Sequence, residues 1–255
     1  MQIKNNTIGS SVVIIAFLIA YYNQDIFNAL GLDVITAAGA SSSFFELFIR
    51  VAAYLLPAIV AVIVVLDIKQ SVVFDGFFKK LASGIFLGIL FTLPMWLYAQ
   101  LNYSARSMNL IFFDKIFIAA IIEEILFRGF LFGLLFYRFG WNFFSAALYS
   151  SVMFGIGHTY QTANTSEMLL IAALTSAIAF WWCWLYVEWG GNLYLVVALH
   201  ALMNFVWFVF LPIQNVLGMT ESNSLRLATV LLSVLITLYL IKMRGYSLLW
   251  NRKGA

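Results

Sequence analysis

Apolar runs long enough to cross a hydrocarbon core, which takes roughly 20 residues of helix, recur along the whole chain. They predict spans over about 9–30, 46–66, 81–101, 112–137, 142–160, 167–187, 192–212 and 224–243. The expected fold is an all-α polytopic transmembrane helical bundle of about eight spans, because only helices and closed barrels satisfy their backbone polar groups in lipid. The first span is interrupted by "YYNQD" (21–25), and "IFNALGLDVITAAGA" (26–40) reads as a re-entrant or interfacial stretch, so seven spans is the alternative. "DIKQSVVFDGFFKK" (67–80) mixes charges with Val and Phe, the pattern of a short helix lying at the interface. Gly190-Gly191 and the polar runs "TYQTANTSE" and "NVLGMTESNS" mark later turns. The N-terminus loosely mimics a signal peptide, but no small-x-small site follows its apolar core closely, so an uncleaved first span is expected.

Composition agrees with this pattern: 64% of the 255 residues are hydrophobic and only 10% charged, against roughly a quarter charged in a soluble domain. A single membrane-embedded domain, 1–255, is expected, with no soluble module. Lys4, Lys69, Lys79, Lys80, Arg138, Lys242, Arg244, Arg252 and Lys253 fall on one side of the eight-span arrangement. By the positive-inside rule both termini are then cytoplasmic, and the expected location is a cytoplasmic membrane of prokaryotic type. The net charge of +3 reflects this topology, and no nucleic-acid partner is expected. The single cysteine, Cys183, has no disulfide partner within the chain.

Against that background, "IIEEILFRGF" (121–130) stands out. A charged side chain at the bilayer centre costs at least ~2.5 kcal/mol on insertion scales, so Glu123, Glu124 and Arg128 need compensation or a purpose. Glu124 and Arg128 are four apart with the acid first, the favourable order for an ion pair on one helix face. Glu123 points about 100° away and is left free for acid–base work. The only two histidines, His158 and His200, also fall in or at the end of spans, and His200 shares a face with Asn204. Gathering these groups around a small water-filled cavity satisfies them all at once. The plainer alternative is interhelical glue, worth about 0.6 kcal/mol per pair.

The three segments "EEILFR" (123–128), "FGIGH" (154–158) and "HALMN" (200–204) fit the patterns EExxxR, FxxxH and HxxxN, in that order. In this the chain resembles the CPBP family of intramembrane proteases, also called Abi, which includes CAAX prenyl endopeptidases and bacteriocin-processing or immunity proteins. The motif-bearing core runs over about 112–212, flanked by spans over 9–101 and 224–243. The resemblance implies that Glu123 and His158 activate a water for attack on a peptide carbonyl, that Glu124 is held by Arg128, and that His200 and Asn204 stabilise the oxyanion. A preorganised oxyanion donor is typically worth ~2.7 to 4 kcal/mol. Glu123, His158 and His200 could also supply three zinc ligands with an open position for water. There is no HExxH element, and the family is described both as metalloproteases and as glutamate-dependent enzymes, so the residues leave both readings open.

The expected function is hydrolysis of a peptide bond in a membrane-associated or prenylated protein or peptide, with the bilayer and that substrate as partners. A proton-coupled transporter and a non-catalytic immunity scaffold are the alternatives; no inverted repeat supports the first. Other polar features read as structural. Glu167 and Glu188 are carboxylates at span ends, Glu46 and Arg50 form a local i, i+4 pair, and "FWWCWLYVEW" (180–189) is an interfacial aromatic belt. Gly155 and Gly157 allow close approach of a helix or of substrate backbone.

Overall fold

The computed structural model describes residues 6–29, 44–65, 77–211, 215–243, 245 and 248. Every regular element among them is helical: α1 (Asn6–Tyr21), α2 (Asn23–Ala29), α3 (Phe44–Val65), α4 (Phe77–Asn102), α5 (110–138), α6 (Phe143–Ile156), α7 (Thr165–Glu188), α8 (Leu193–Val209) and α9 (Thr220–Met243). Four of these contain stretches long and apolar enough to cross a membrane, at Phe44–Val64, Lys80–Asn102, Thr165–Glu188 and Thr220–Met243, and α1 and α8 are shorter apolar helices. Their outward faces carry Phe48, Ile59, Leu97, Leu169, Leu231 and Leu235, all exposed. Such faces would be costly in water and cost nothing against lipid tails, so the chain is an all-α integral membrane bundle.

Asparagine starts the helices of the central region. Asn142, Asn164 and Asn192 accept from the backbone N–H of Ser145, Glu167 and Leu195 at 2.9, 3.1 and 3.3 Å, and Asn109 does the same for Phe112 at 2.9 Å. Each side chain meets one donor that a helix start leaves unpaired. The α7–α8 turn is made by Gly190 and Gly191, at φ 65° and 74°, a conformation that costs glycine little. α5 is unusual in alternating α and π geometry, with wide turns over Asp114–Ile118, Ile125–Phe132 and Leu134–Arg138. Wide turns of this kind occur often at functional sites.

Small residues let the helices that carry the motifs pack closely. A Cβ at Gly84 or Gly88 of α4 would lie 2.6 Å from Tyr194 Cβ or 2.5 Å from Ala198 Cβ of α8, and one at Gly155 of α6 would lie 2.4 Å from the Ala172 carbonyl of α7. Backbone approach of this kind drives association where lipid removes the hydrophobic driving force. The core between the helices is filled by Phe17, Phe91, Leu131, Phe132, Leu135, Leu185 and Leu195, all essentially inaccessible.

Several expected boundaries shift. The first span breaks at Tyr22 into α1 and α2, and the stretch expected to be re-entrant lies, beyond Ala29, outside the described residues. The interfacial helix expected over 67–80 falls outside them up to residue 76, while 77–80 form the first turn of α4. The span expected over 142–160 stops at Ile156. The reason is local: His158 Nδ1 donates to the Phe154 carbonyl at 2.8 Å, taking the acceptor its own backbone N–H would use, and that N–H turns to Gly155. A single 3₁₀ turn, Thr159–Gln161, follows.

Candidate active site

Helices α5, α6 and α8 converge, and with them the three motifs. Glu124 is fully buried, and its Oε1 accepts both from Arg128 Nη1 and from His200 Nδ1, each at 2.9 Å. The Arg128 guanidinium, also fully buried, lies 4.4 Å from the Phe154 ring and 5.0 Å from the Trp182 ring. Its Nε and Nη2 have no hydrogen-bond partner among the described residues, so ring faces supply what a second carboxylate would. The His200 ring stacks at 4.6 Å on Trp182. Phe154, four residues before His158 in its motif, therefore touches both sides of the site, since the His158 ring lies 4.4 Å from it.

Glu123 occupies a different environment. Its side chain is 32% exposed and its Oε2 lies 3.9 Å from His200 Nε2, with no hydrogen-bond partner among the described residues. With Nδ1 of each histidine donating, to Phe154 O and to Glu124 respectively, Nε2 of both rings carries a lone pair in the neutral form. Asn204 uses one amide hydrogen on the Lys115 carbonyl at 3.2 Å, leaving its second free to donate elsewhere.

A cavity of about 760 Å³ opens beside these groups. Glu123, His158 and Asn204 line it, while Glu124, Arg128 and His200 stand behind its wall. Sequence spacing anticipates the Glu124–Arg128 pair but not the bond from Glu124 to His200, which joins residues 76 positions apart. It also misses Tyr21, Arg50 and Tyr54, which line the cavity from α1 and α3. Only Arg50 carried a signal, as a charge in an apolar helix. Expected to serve a local pair with Glu46, it reaches across to the buried Asp114 of α5. Glu167 is engaged near the surface by the Thr162 hydroxyl at 2.8 Å, and Cys183 is a buried free thiol.

Donor chemistry suited to zinc is present in Glu123, His158 and His200. Among the described residues, however, no group of three His, Cys, Asp or Glu side chains is arranged to hold a metal ion.

Comparison with known proteins falls on the same region. Residues 105–206 match the family model described as type II CAAX prenyl endopeptidase Rce1-like. A 114-residue stretch is 32% identical to the "Putative membrane peptidase YdiL" of Bacillus subtilis (strain 168), covering 45% of this chain and 42% of that protein. The chain thus spans less than half the length of the curated relative it matches. No solved structure matches it. Over residues 105–206, the segment in which all three motifs meet at one cavity, the chain is similar to the Rce1-like family of type II CAAX prenyl endopeptidases.

Proposed function

We propose that this protein is an intramembrane endopeptidase that cleaves a membrane-associated or prenylated peptide with a water activated by Glu123 and His158. The observation that carries this reading is the division between the two adjacent glutamates: Glu124 is buried and doubly bound, while Glu123 faces the cavity with no hydrogen bond to its Oε2 among the described residues. A water held between the Glu123 carboxylate and the lone pair on His158 Nε2 loses a proton to Glu123 as its oxygen attacks the peptide carbonyl. The carbonyl oxygen becomes an oxyanion, and the free Asn204 amide hydrogen donates to it. His200, backed by the Glu124 carboxylate, adds a second donor when its Nε2 enters the cycle carrying a proton from solvent, which it keeps throughout. Collapse of the tetrahedral intermediate breaks the C–N bond, and the proton held by Glu123 passes to the departing amine. One water and one peptide bond give a carboxylic acid and an amine.

The test is mass-spectrometric detection of peptide products from the purified, reconstituted protein incubated with a membrane-peptide pool, against Glu123→Gln and a chelator-treated sample. Products confined to the wild type support the reading. Identical product profiles from wild type and a folded Glu123→Gln protein would refute it. Loss with chelator and recovery with added zinc would move the activation of water from the carboxylate alone to a bound ion.

A further inference from the structure

Arg50 lies outside the family-matched segment yet contributes a guanidinium to the catalytic cavity. It comes from α3, and one of its terminal nitrogens is salt-bridged to Asp114, whose side chain is fully buried on the first π turn of α5. The Arg50 side chain itself keeps 21% of its surface exposed. Its Nε is buried and has no hydrogen-bond partner among the described residues. A guanidinium has five N–H donors in a rigid fork, and the bridge to Asp114 is the one hydrogen bond the described residues give it. The pairing fixes the guanidinium in place and uses only part of its donor set. What remains is a preorganised, permanently charged donor on the wall of a cavity whose opposite chemistry, at Glu123, is an acceptor.

A cation that served only to brace α3 against α5 would be satisfied by one carboxylate away from any cavity. Burying an ion pair for stability alone is a weak gain, since desolvation offsets most of the attraction. A donor fork left partly unused at a cavity wall fits a ligand that brings acceptor oxygens. The peptide of the proposed reaction brings them in two forms, main-chain carbonyls and a terminal carboxylate. Asp114 is followed directly by Lys115, whose carbonyl holds Asn204, so an oxygen gripped by Arg50 would be fixed relative to the oxyanion donor along a single turn of α5.

We infer that Arg50, oriented by Asp114, is a substrate-binding residue that grips a main-chain or C-terminal oxygen of the bound peptide. This rests on the endopeptidase reading, and the experiment separates the two by measuring binding without turnover. The probe is a fluorescein-labelled peptide of alanine, leucine and serine, made with a free C-terminal carboxylate and as its C-terminal amide. Fluorescence anisotropy is read on the reconstituted Glu123→Gln protein with and without Arg50→Lys, and with Asp114→Asn as a third background. Arg50→Lys keeps the charge that braces Asp114 but loses the fork, and is expected to weaken peptide binding by about tenfold or more, the loss typical of a charge-assisted hydrogen bond, with the thermal midpoint unchanged. A penalty confined to the free carboxylate assigns the gripped oxygen to the C-terminus, and an equal penalty on both peptides assigns it to the main chain. Unchanged binding in a folded Arg50→Lys protein overturns the inference and leaves the endopeptidase reading standing. Absence of binding to every form, Glu123→Gln included, strikes the endopeptidase reading itself and removes the ground for the inference. If Asp114→Asn lowers the thermal midpoint while Arg50→Lys changes neither binding nor midpoint, Arg50 is a brace only.

Discussion

Glu124 Oε1 accepts from both Arg128 and His200, so its charge is committed to holding two other groups in place. Removing that charge strands the fully buried Arg128 guanidinium, whose Nε and Nη2 have no hydrogen-bond partner among the described residues. Breaking one side of a buried pair typically costs about 3–5 kcal/mol, so Glu124→Ala is expected to lower the thermal midpoint of the detergent-solubilised protein strongly. Glu123→Gln, at a partly exposed position whose Oε2 has no hydrogen-bond partner among the described residues, is expected to shift stability by no more than about 0.5 kcal/mol. The same substitution should lower kcat by at least about a hundredfold, the usual contribution of a general base. A Glu123→Gln protein that both unfolds early and keeps its turnover would reverse the assigned duties of the pair. The Glu124–Arg128 bond was legible from spacing because helix geometry alone brings i and i+4 together. The His200 bond was not, because it depends on how α5 and α8 cross.

At the scale of elements, α8 carries both His200 and Asn204, and its position is set where Gly84 and Gly88 of α4 admit Tyr194 and Ala198. Gly88→Val would drive a side chain into Ala198, and overpacking of this kind costs about 1–3 kcal/mol. The expected result is a lower thermal midpoint together with a reduced kcat, because α8 moves as a unit and takes both donors with it. Leu97→Ala, on the exposed face of the same helix, is the control and should change neither by a measurable amount. Equal effects from the two substitutions would show that the α4–α8 contact does not position the site. The existence of these helices was readable from their apolar length, whereas their ends were not. α6 stops four residues before its expected limit because one imidazole takes a backbone carbonyl, a side-chain event that hydropathy does not register. The wide turns of α5 left no mark in its apolar pattern either.

At the scale of the whole molecule, the cavity is shared between the family-matched segment and helices that carry no motif. Its floor comes from α5, α6 and α8, and part of its wall from Tyr21 of α1 and from Arg50 and Tyr54 of α3. Tyr21 does more than line it. Its hydroxyl donates to the Met153 carbonyl at 3.1 Å, on the last turn of α6, and its ring stacks on Phe17 at 5.5 Å and meets Phe127 edge-on at 6.2 Å. The same Met153 carbonyl accepts the Gly157 N–H that closes α6, so the hydroxyl pins the backbone immediately before His158. Tyr21→Phe keeps the ring and removes only that bond, a net loss of about 1 kcal/mol. If α1 merely fills space, the loss should appear in stability alone, with kcat and KM unchanged. If α1 sets the His158 imidazole, kcat should fall about fivefold at unchanged KM, because a misplaced water-holding group weakens the transition state without weakening peptide binding. Steady-state cleavage kinetics on Tyr21→Phe, beside the lipid-facing control Ile15→Ala on the same helix, decide between these outcomes. A kcat effect would make the flanking helix part of the catalytic apparatus, although no residue in it belongs to the three motifs.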